Sequence, residues 1–173
     1  MTGGRDFNEV VFDDVFVPAH MVLATPGDGW KLVTGELAYE RSGPERFMST
    51  FELFEAFAEQ LGPSPDAHAT AAFGRMVTHF VTLRRMSNAL AHMLASGDSP
   101  DLEAALVKDL GTAFERELID VARECVALVP ATERTARYER TLIQSLLAGP
   151  SFTLRGGTRE IMRGIVAKQM NAA

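Results

Sequence analysis

Apolar residues return at steps of three and four along most of this chain, and breaks rich in proline and glycine separate the stretches. After the turn at Pro26-Gly27-Asp28-Gly29 the pattern becomes helical. Phe47, Phe51, Phe54, Ala58 and Leu61 share one helical face there, and Gly62-Pro63-Ser64-Pro65 ends it. A second helix is predicted from Ser64-Pro65-Asp66, burying Phe73, Val77, Phe80, Leu83, Leu90 and Leu94. A third starts at Ser99-Pro100-Asp101, where proline suits the first helical position and an acid suits the dipole. Its stripe, Leu106, Leu110, Phe114, Leu118, Val121, Cys125 and Leu128, is the cleanest in the chain. Shorter helices are predicted over 138–147 and 158–170, the latter capped by Thr158 ahead of Ile161, Ile165 and Val166. Near the start, Val10, Val11, Phe12, Val15, Phe16 and Val17, stopped by Pro18, read as one short strand and an extended connection.

Three long amphipathic helices and shorter closing ones, joined by tight loops, predict an all-α fold. The economical arrangement is an antiparallel helical bundle with a short extended or β segment at its N-terminus. Core packing explains the aromatic stripe Phe47, Phe51, Phe54 better than a cofactor box does.

With 173 residues and 46% apolar content, the chain suffices for one self-supporting core. Its single cysteine, Cys125, rules out an internal disulfide and falls on an apolar face, as a packed thiol does. A reducing, cytoplasmic setting is expected. The formal charge of −6 comes without a basic stripe, which argues against nucleic acid as a partner. No apolar run approaches the ~20 residues of a membrane span, and no signal peptide is legible. Met1-Thr2-Gly3-Gly4 reads as a cut in a longer chain. His20, His68, His79 and His92 lack metal-ligand spacing, so no metal site is expected, and no Ser-His-Asp or Cys-His arrangement is found.

Chemistry is thereby left to carboxylates or to a cofactor, and two segments are candidates. In residues 155–170, RGGTREIMRGIVAKQM, Gly156 and Gly157 allow a sharp turn into a helix whose open N–H groups suit a phosphate or a polarised carbonyl. An ordinary loop-to-helix junction is the plainer reading of those residues alone. In residues 37–43, LAYERSG, the pair Glu40-Arg41 reads by itself as a solvated ion pair.

Residues 155–170 resemble the C-terminal signature of acyl-CoA dehydrogenases, whose usual forms are GGTSEIQRNIIA and YEGTSQIQR. FNEVVFDDVFVPAHMVL, followed by GDGW, resembles that family's FNEVFFDDVRVPAENLLG and GEGW. Order and spacing fit the family's C-terminal third. The resemblance implies that residues 1–26 end a middle β-domain with its connection and that 27–173 form the C-terminal helical bundle domain. It also implies a full-length, FAD-dependent oxidoreductase that introduces an α,β double bond into an acyl-CoA thioester. Electron-transfer flavoprotein is the implied acceptor and a homo- or hetero-oligomer, commonly a tetramer, the implied assembly; the isolated fragment is expected to be inactive.

Many family members carry their catalytic glutamate where this chain has Gly156. A smaller set, isovaleryl-CoA dehydrogenase among them, keeps glycine there and places the base on the first long helix, just before an arginine. The matching pair here is Glu40-Arg41. The resemblance thus implies Glu40 as base, with Arg41 steadying it or facing the CoA side. It implies that a backbone N–H near Gly156 or Gly157 bonds the thioester oxygen, and that Thr158 and Glu160 lie near the adenosine end of FAD. Glu36, Glu45 and Arg46 read as surface charges. Two family runs are replaced: RxxFGxPL by AFAEQLGPSPDAHATAAFGR, and QxxGGxGY by RECVALVPATERTARY, with LIQSLLAGPSF added before the signature. These departures keep open an alternative, a non-catalytic or FAD-deficient partner subunit of a mixed oligomer. A plain helical interaction module is the third reading.

Overall fold

The computed structural model describes residues 4, 8–127 and 129–171, so Met1-Thr2-Gly3, Phe7 and Leu128 lie outside the described residues. Seven α-helices follow one another among the described residues: α1 Gly29–Ser42, α2 Glu45–Met48, α3 Phe51–Leu61, α4 Ala67–Ala95, α5 Asp101–Cys125, α6 Ala136–Phe152 and α7 Arg159–Met170. The expected all-α bundle is present. α5 is its axis and packs against each of the other six.

The first predicted helix is broken into α1, α2 and α3, although the phenylalanine stripe runs on through the break. Proline disfavours helical geometry in the residue before it, and Gly43, ahead of Pro44, sits at φ −61, ψ 160 in extended conformation. That bend turns α2 inward. Gly111 on α5 lets it come close, since a β-carbon there would meet the Arg46 Cβ at 2.7 Å and the Arg46 carbonyl at 2.9 Å.

α4 starts at Ala67, directly after its Ser-Pro-Asp signal, because Asp66 itself is the cap and accepts from the Ala69 N–H at 2.8 Å. Pro100 likewise stands at the cap of α5 rather than inside it, with Asp101 and Glu103 in the first turn. α6 runs past the expected end, through Pro150, and so delivers Phe152 to the core.

The aromatic stripe is core. Phe47 meets Phe80 edge-on at 5.4 Å, Phe54 lies 5.0 Å from Phe73, and Leu53, Phe57, Met76, Leu83, Phe114, Leu118 and Tyr138 complete the cluster. Several expected core positions are instead exposed: Val77 on α4, Leu106 and Leu110 on α5, and Ile161 on α7. On α5 the buried row is Ala104, Lys108, Gly111, Glu115, Leu118 and Ala122, a stricter alternation of four and three than the leucine stripe. On α7 it is Met162 that is buried.

Among the described residues no strand forms near the N-terminus. Val10, Phe12, Phe16 and their neighbours are exposed, in irregular backbone. A strand needs a neighbour for its backbone hydrogen bonds, and the described helices offer none.

Candidate functional site

The two segments singled out by sequence meet in space. The C-terminal end of α1 carries Glu40 and Arg41, and the loop between α6 and α7 carries Gly156 and Gly157. Both glycines have positive φ, +69 and +98, a conformation that side-chain-bearing residues rarely take. The Arg41 Nε donates to the Gly156 carbonyl at 3.3 Å and joins the segments directly. Arg41 is buried, so it steadies the loop.

Glu40 is exposed, and its Oε1 lies 3.5 Å from the point where a β-carbon on residue 156 would stand. The Arg46 Nη2 is nearer to that point, at 2.9 Å. Arg46, read from sequence as a surface charge, is 1% exposed. It donates from Nη2 to the Glu40 carbonyl at 2.6 Å and from Nε to the Arg41 carbonyl at 3.1 Å, capping α1 with charge-assisted bonds. Glu45 pairs with it at 3.2 Å and is half-buried rather than a free surface charge. Burial draws the Arg46 guanidinium below its usual value, against the pull of Glu45.

Of the two loop N–H groups, Gly157 is committed to the Leu154 carbonyl at 3.2 Å. Among the described residues the Gly156 N–H has no backbone acceptor. Thr158 caps α7, its hydroxyl oxygen accepting from the Ile161 N–H at 3.5 Å as the sequence predicts. Asp109 on α5 holds the start of α7 in place through Arg159 at 2.6 Å and Arg163 at 3.2 Å. Burial opposes ionisation of Asp109, but those two hydrogen bonds outweigh it and keep its carboxyl below the usual range.

The Glu160 carboxyl also sits below its usual range, held by its own backbone N–H and then by the Thr158 hydroxyl. An exposed, ionised carboxylate at a helix start accepts from hydroxyl groups and repels phosphate.

Beneath the loop lies a buried polar cluster that sequence reasoning missed. Lys108 and Glu115 are both 0% exposed. The Lys108 Nζ donates to the Thr112 hydroxyl at 2.6 Å and to the Phe152 carbonyl at 3.2 Å, at the end of α6. Glu115 pairs with Arg155, which also donates to Ser49 at 2.8 Å and to the Glu45 carbonyl at 3.1 Å and lies over the Phe152 ring at 4.9 Å. Burial pushes the Glu115 carboxyl up to about 7 in spite of Arg155, and lowers the Lys108 ammonium to about 8. The available signal was the spacing of Lys108, Thr112 and Glu115, which shares one helical face with Ala104 and Leu118.

A cleft of about 750 Å³ opens beside the site, between α1, the turn from α4 to α5, and α7. Arg41 lines it together with Lys31, Tyr39, Asp98, Ile165 and Lys168, whereas Glu40 does not.

Fold and site together define a helical-bundle domain in which a glycine-hinged loop closes on a carboxylate-bearing helix. The chain belongs to the acyl-CoA dehydrogenase family: residues 55–171 match the family's "Acyl-CoA dehydrogenase, C-terminal domain". It is similar to the acyl-CoA dehydrogenase IpdE1 of Mycolicibacterium smegmatis, 29% identical over 98% of this chain and 43% of that protein. It is similar also to two acyl-CoA dehydrogenases of Mycobacterium tuberculosis. FadE34 is 25% identical over 98% of the chain and 23% of its own length, and FadE29 is 30% identical over 95% and 45%. The chain therefore spans less than half the length of these relatives. No solved structure matches it.

Among the described residues no helix is long and apolar enough to cross a membrane, and no group of three or more His, Cys, Asp or Glu side chains is placed to hold a metal.

Proposed function

We propose that the full-length protein is an acyl-CoA dehydrogenase, and that Glu40 is the base that removes the α-proton of the acyl-CoA thioester. The observation that carries this reading is the position of the Glu40 carboxylate, 3.5 Å from where a side chain on residue 156 would begin. The two places from which the family supplies its base thus converge on one point, and here only Glu40 has a carboxylate to offer.

The Gly156 N–H would bond the thioester oxygen, stabilising the enolate and acidifying the α-carbon. Arg41 keeps the loop against α1 through the Gly156 carbonyl. Thr158 and Glu160 would hold the adenosine end of FAD, which when bound supplies the hydride acceptor. Electron-transfer flavoprotein is the proposed final acceptor.

Replacing Glu40 by Gln in the full-length protein tests the reading. It keeps size and removes the proton acceptor, so reduction of the flavin by substrate should fall by about 10²-fold or more. A normal rate would place the base elsewhere. The alternative, a non-catalytic or FAD-deficient partner subunit of a mixed oligomer, draws on the two replaced family runs, which read AFAEQLGPSPDAHATAAFGR and RECVALVPATERTARY here.

A further inference from the structure

We propose that Glu115 is a positioning residue for the Gly156–Gly157 loop, acting through Arg155. The proposal rests on the reading of Glu40 and this loop as the reactive site. Glu115 lies in the middle of α5, on the axis of the bundle, and does not line the cleft. Its carboxylate pairs with Arg155, the residue immediately before the glycine hinge.

Arg155 connects three parts of the fold through one guanidinium. It reaches Glu115 on α5, the Glu45 carbonyl on α2 and the Ser49 hydroxyl just after α2, while its own backbone begins the loop. α2 in turn carries Arg46, which holds the Glu40 and Arg41 carbonyls. The loop and the end of α1 are thus referenced to the same buried anchor. A planar, five-donor guanidinium suits this task, because its fork fixes direction as well as distance.

The charge balance points the same way. Arg46, Lys108 and Arg155 bring three cations to this part of the molecule, and Glu115 is the fully buried acid among them. Without its charge the three cations repel one another at short range, and Arg155, about a third exposed, is the one free to turn outward. That movement would take the hinge with it. Burying an ion pair contributes little to stability compared with an apolar pair of the same shape, whereas it can fix one arrangement among several.

The test uses the full-length protein and the variants Glu115→Gln, Arg155→Gln, their combination, and Glu40→Gln. Amide hydrogen exchange reads the loop without relying on turnover. Glu115→Gln should speed exchange over 153–158 while leaving α3 and α4 unchanged, and should lower the rate of flavin reduction about 10-fold with KM within about 3-fold. The double variant should be no worse than the more damaging single one, since both remove one connection. Wild-type exchange and rate in Glu115→Gln, or losses that multiply in the double variant, would overturn the proposal. If Glu115→Gln does not fold, Arg155→Lys keeps the charge and loses the fork; it should loosen the same segment, and wild-type exchange there would overturn the proposal equally. A normal rate in Glu40→Gln would instead overturn the reading of the site and leave the exchange result to decide the role of Glu115.

Discussion

The Arg46 guanidinium stands 2.9 Å from the point that a β-carbon on Gly156 would occupy. Residue 156 is therefore confined twice, by that contact and by its φ of +69. Gly156→Ala should cost about 1–3 kcal/mol, strain and displacement of Arg46 together. Gly97→Ala isolates the first part, since Gly97 also has positive φ, +87, and open space around it. Thermal melts of the two variants check this: equal losses would show that Arg46 yields freely.

The same contact bears on where a base can stand. Moving the carboxylate by combining Glu40→Gly with Gly156→Glu should not restore flavin reduction, because the new side chain would have to displace Arg46 from the Glu40 and Arg41 carbonyls. Recovery to within about 10-fold of the wild-type rate would show that the carboxylate alone decides the activity.

How far the sequence reveals this site depends on the kind of signal. Thr158 as a cap, and the start of α7 behind it, are readable because a side-chain oxygen before an apolar run has one common use. The meeting of Glu40 with Gly156, 116 positions apart, is not a matter of periodicity, and only the resemblance to acyl-CoA dehydrogenases points to it. The α5 stripe misleads for a physical reason. Leu106 and Leu110 draw the eye to one phase of the helix, while the buried phase is held by small residues and by Lys108 and Glu115, which pattern rules assign to water. The break at Gly43-Pro44 is hidden because phenylalanines continue the apolar spacing on either side of it.

Lys108 and Glu115 give a pH dependence with two opposite limbs. Glu115 titrates at about 7 when folded against an ordinary 4.5, so between those values the folded state holds a proton that the unfolded chain has lost, and stability falls as pH rises. Lys108 titrates at about 8 against 10.5; across that range the unfolded chain holds the extra proton, and stability rises with pH. Their joint contribution has its minimum between about 7 and 8. Denaturant midpoints across the pH range should show the falling limb lost in Glu115→Gln and the rising limb lost in Lys108→Met; an unchanged profile in either variant would remove that group as the cause.

The bundle itself needs little from outside. Its core is closed by α3, α4, α5 and α6, so residues 1–173 alone should fold and give a mainly helical far-UV circular dichroism spectrum. The exposed segment around Val10–Val17 contributes nothing to that core. On the proposed reading this chain offers FAD only Thr158 and Glu160, at the start of α7, so the fragment should not retain it. Stoichiometric flavin in the purified fragment would contradict this division.

On the proposed reading, assembly decides how many flavins the full-length protein carries. Exposed apolar side chains remain on several helices, Leu110 on α5, Ile143, Leu146 and Leu147 on α6 and Ile161 on α7 among them, and pairing across two-fold axes is the common way to cover such faces. On the proposed reading this chain's contacts with FAD are Thr158 and Glu160, neither of them a cation, so a positive group from another chain is expected to face the pyrophosphate. The run in which the family carries an arginine for this purpose reads AFAEQLGPSPDAHATAAFGR here, without arginine in the expected place. A homotetramer would repeat that lack at every interface, whereas a mixed tetramer lets a partner's arginine complete the sites that this chain's Glu40 and loop begin. The expected outcome is a mixed tetramer with one FAD per two chains, measured by sizing the full-length protein alone and with its co-purifying partner while counting flavin per chain. A homotetramer with one FAD per chain would rule the mixed assembly out.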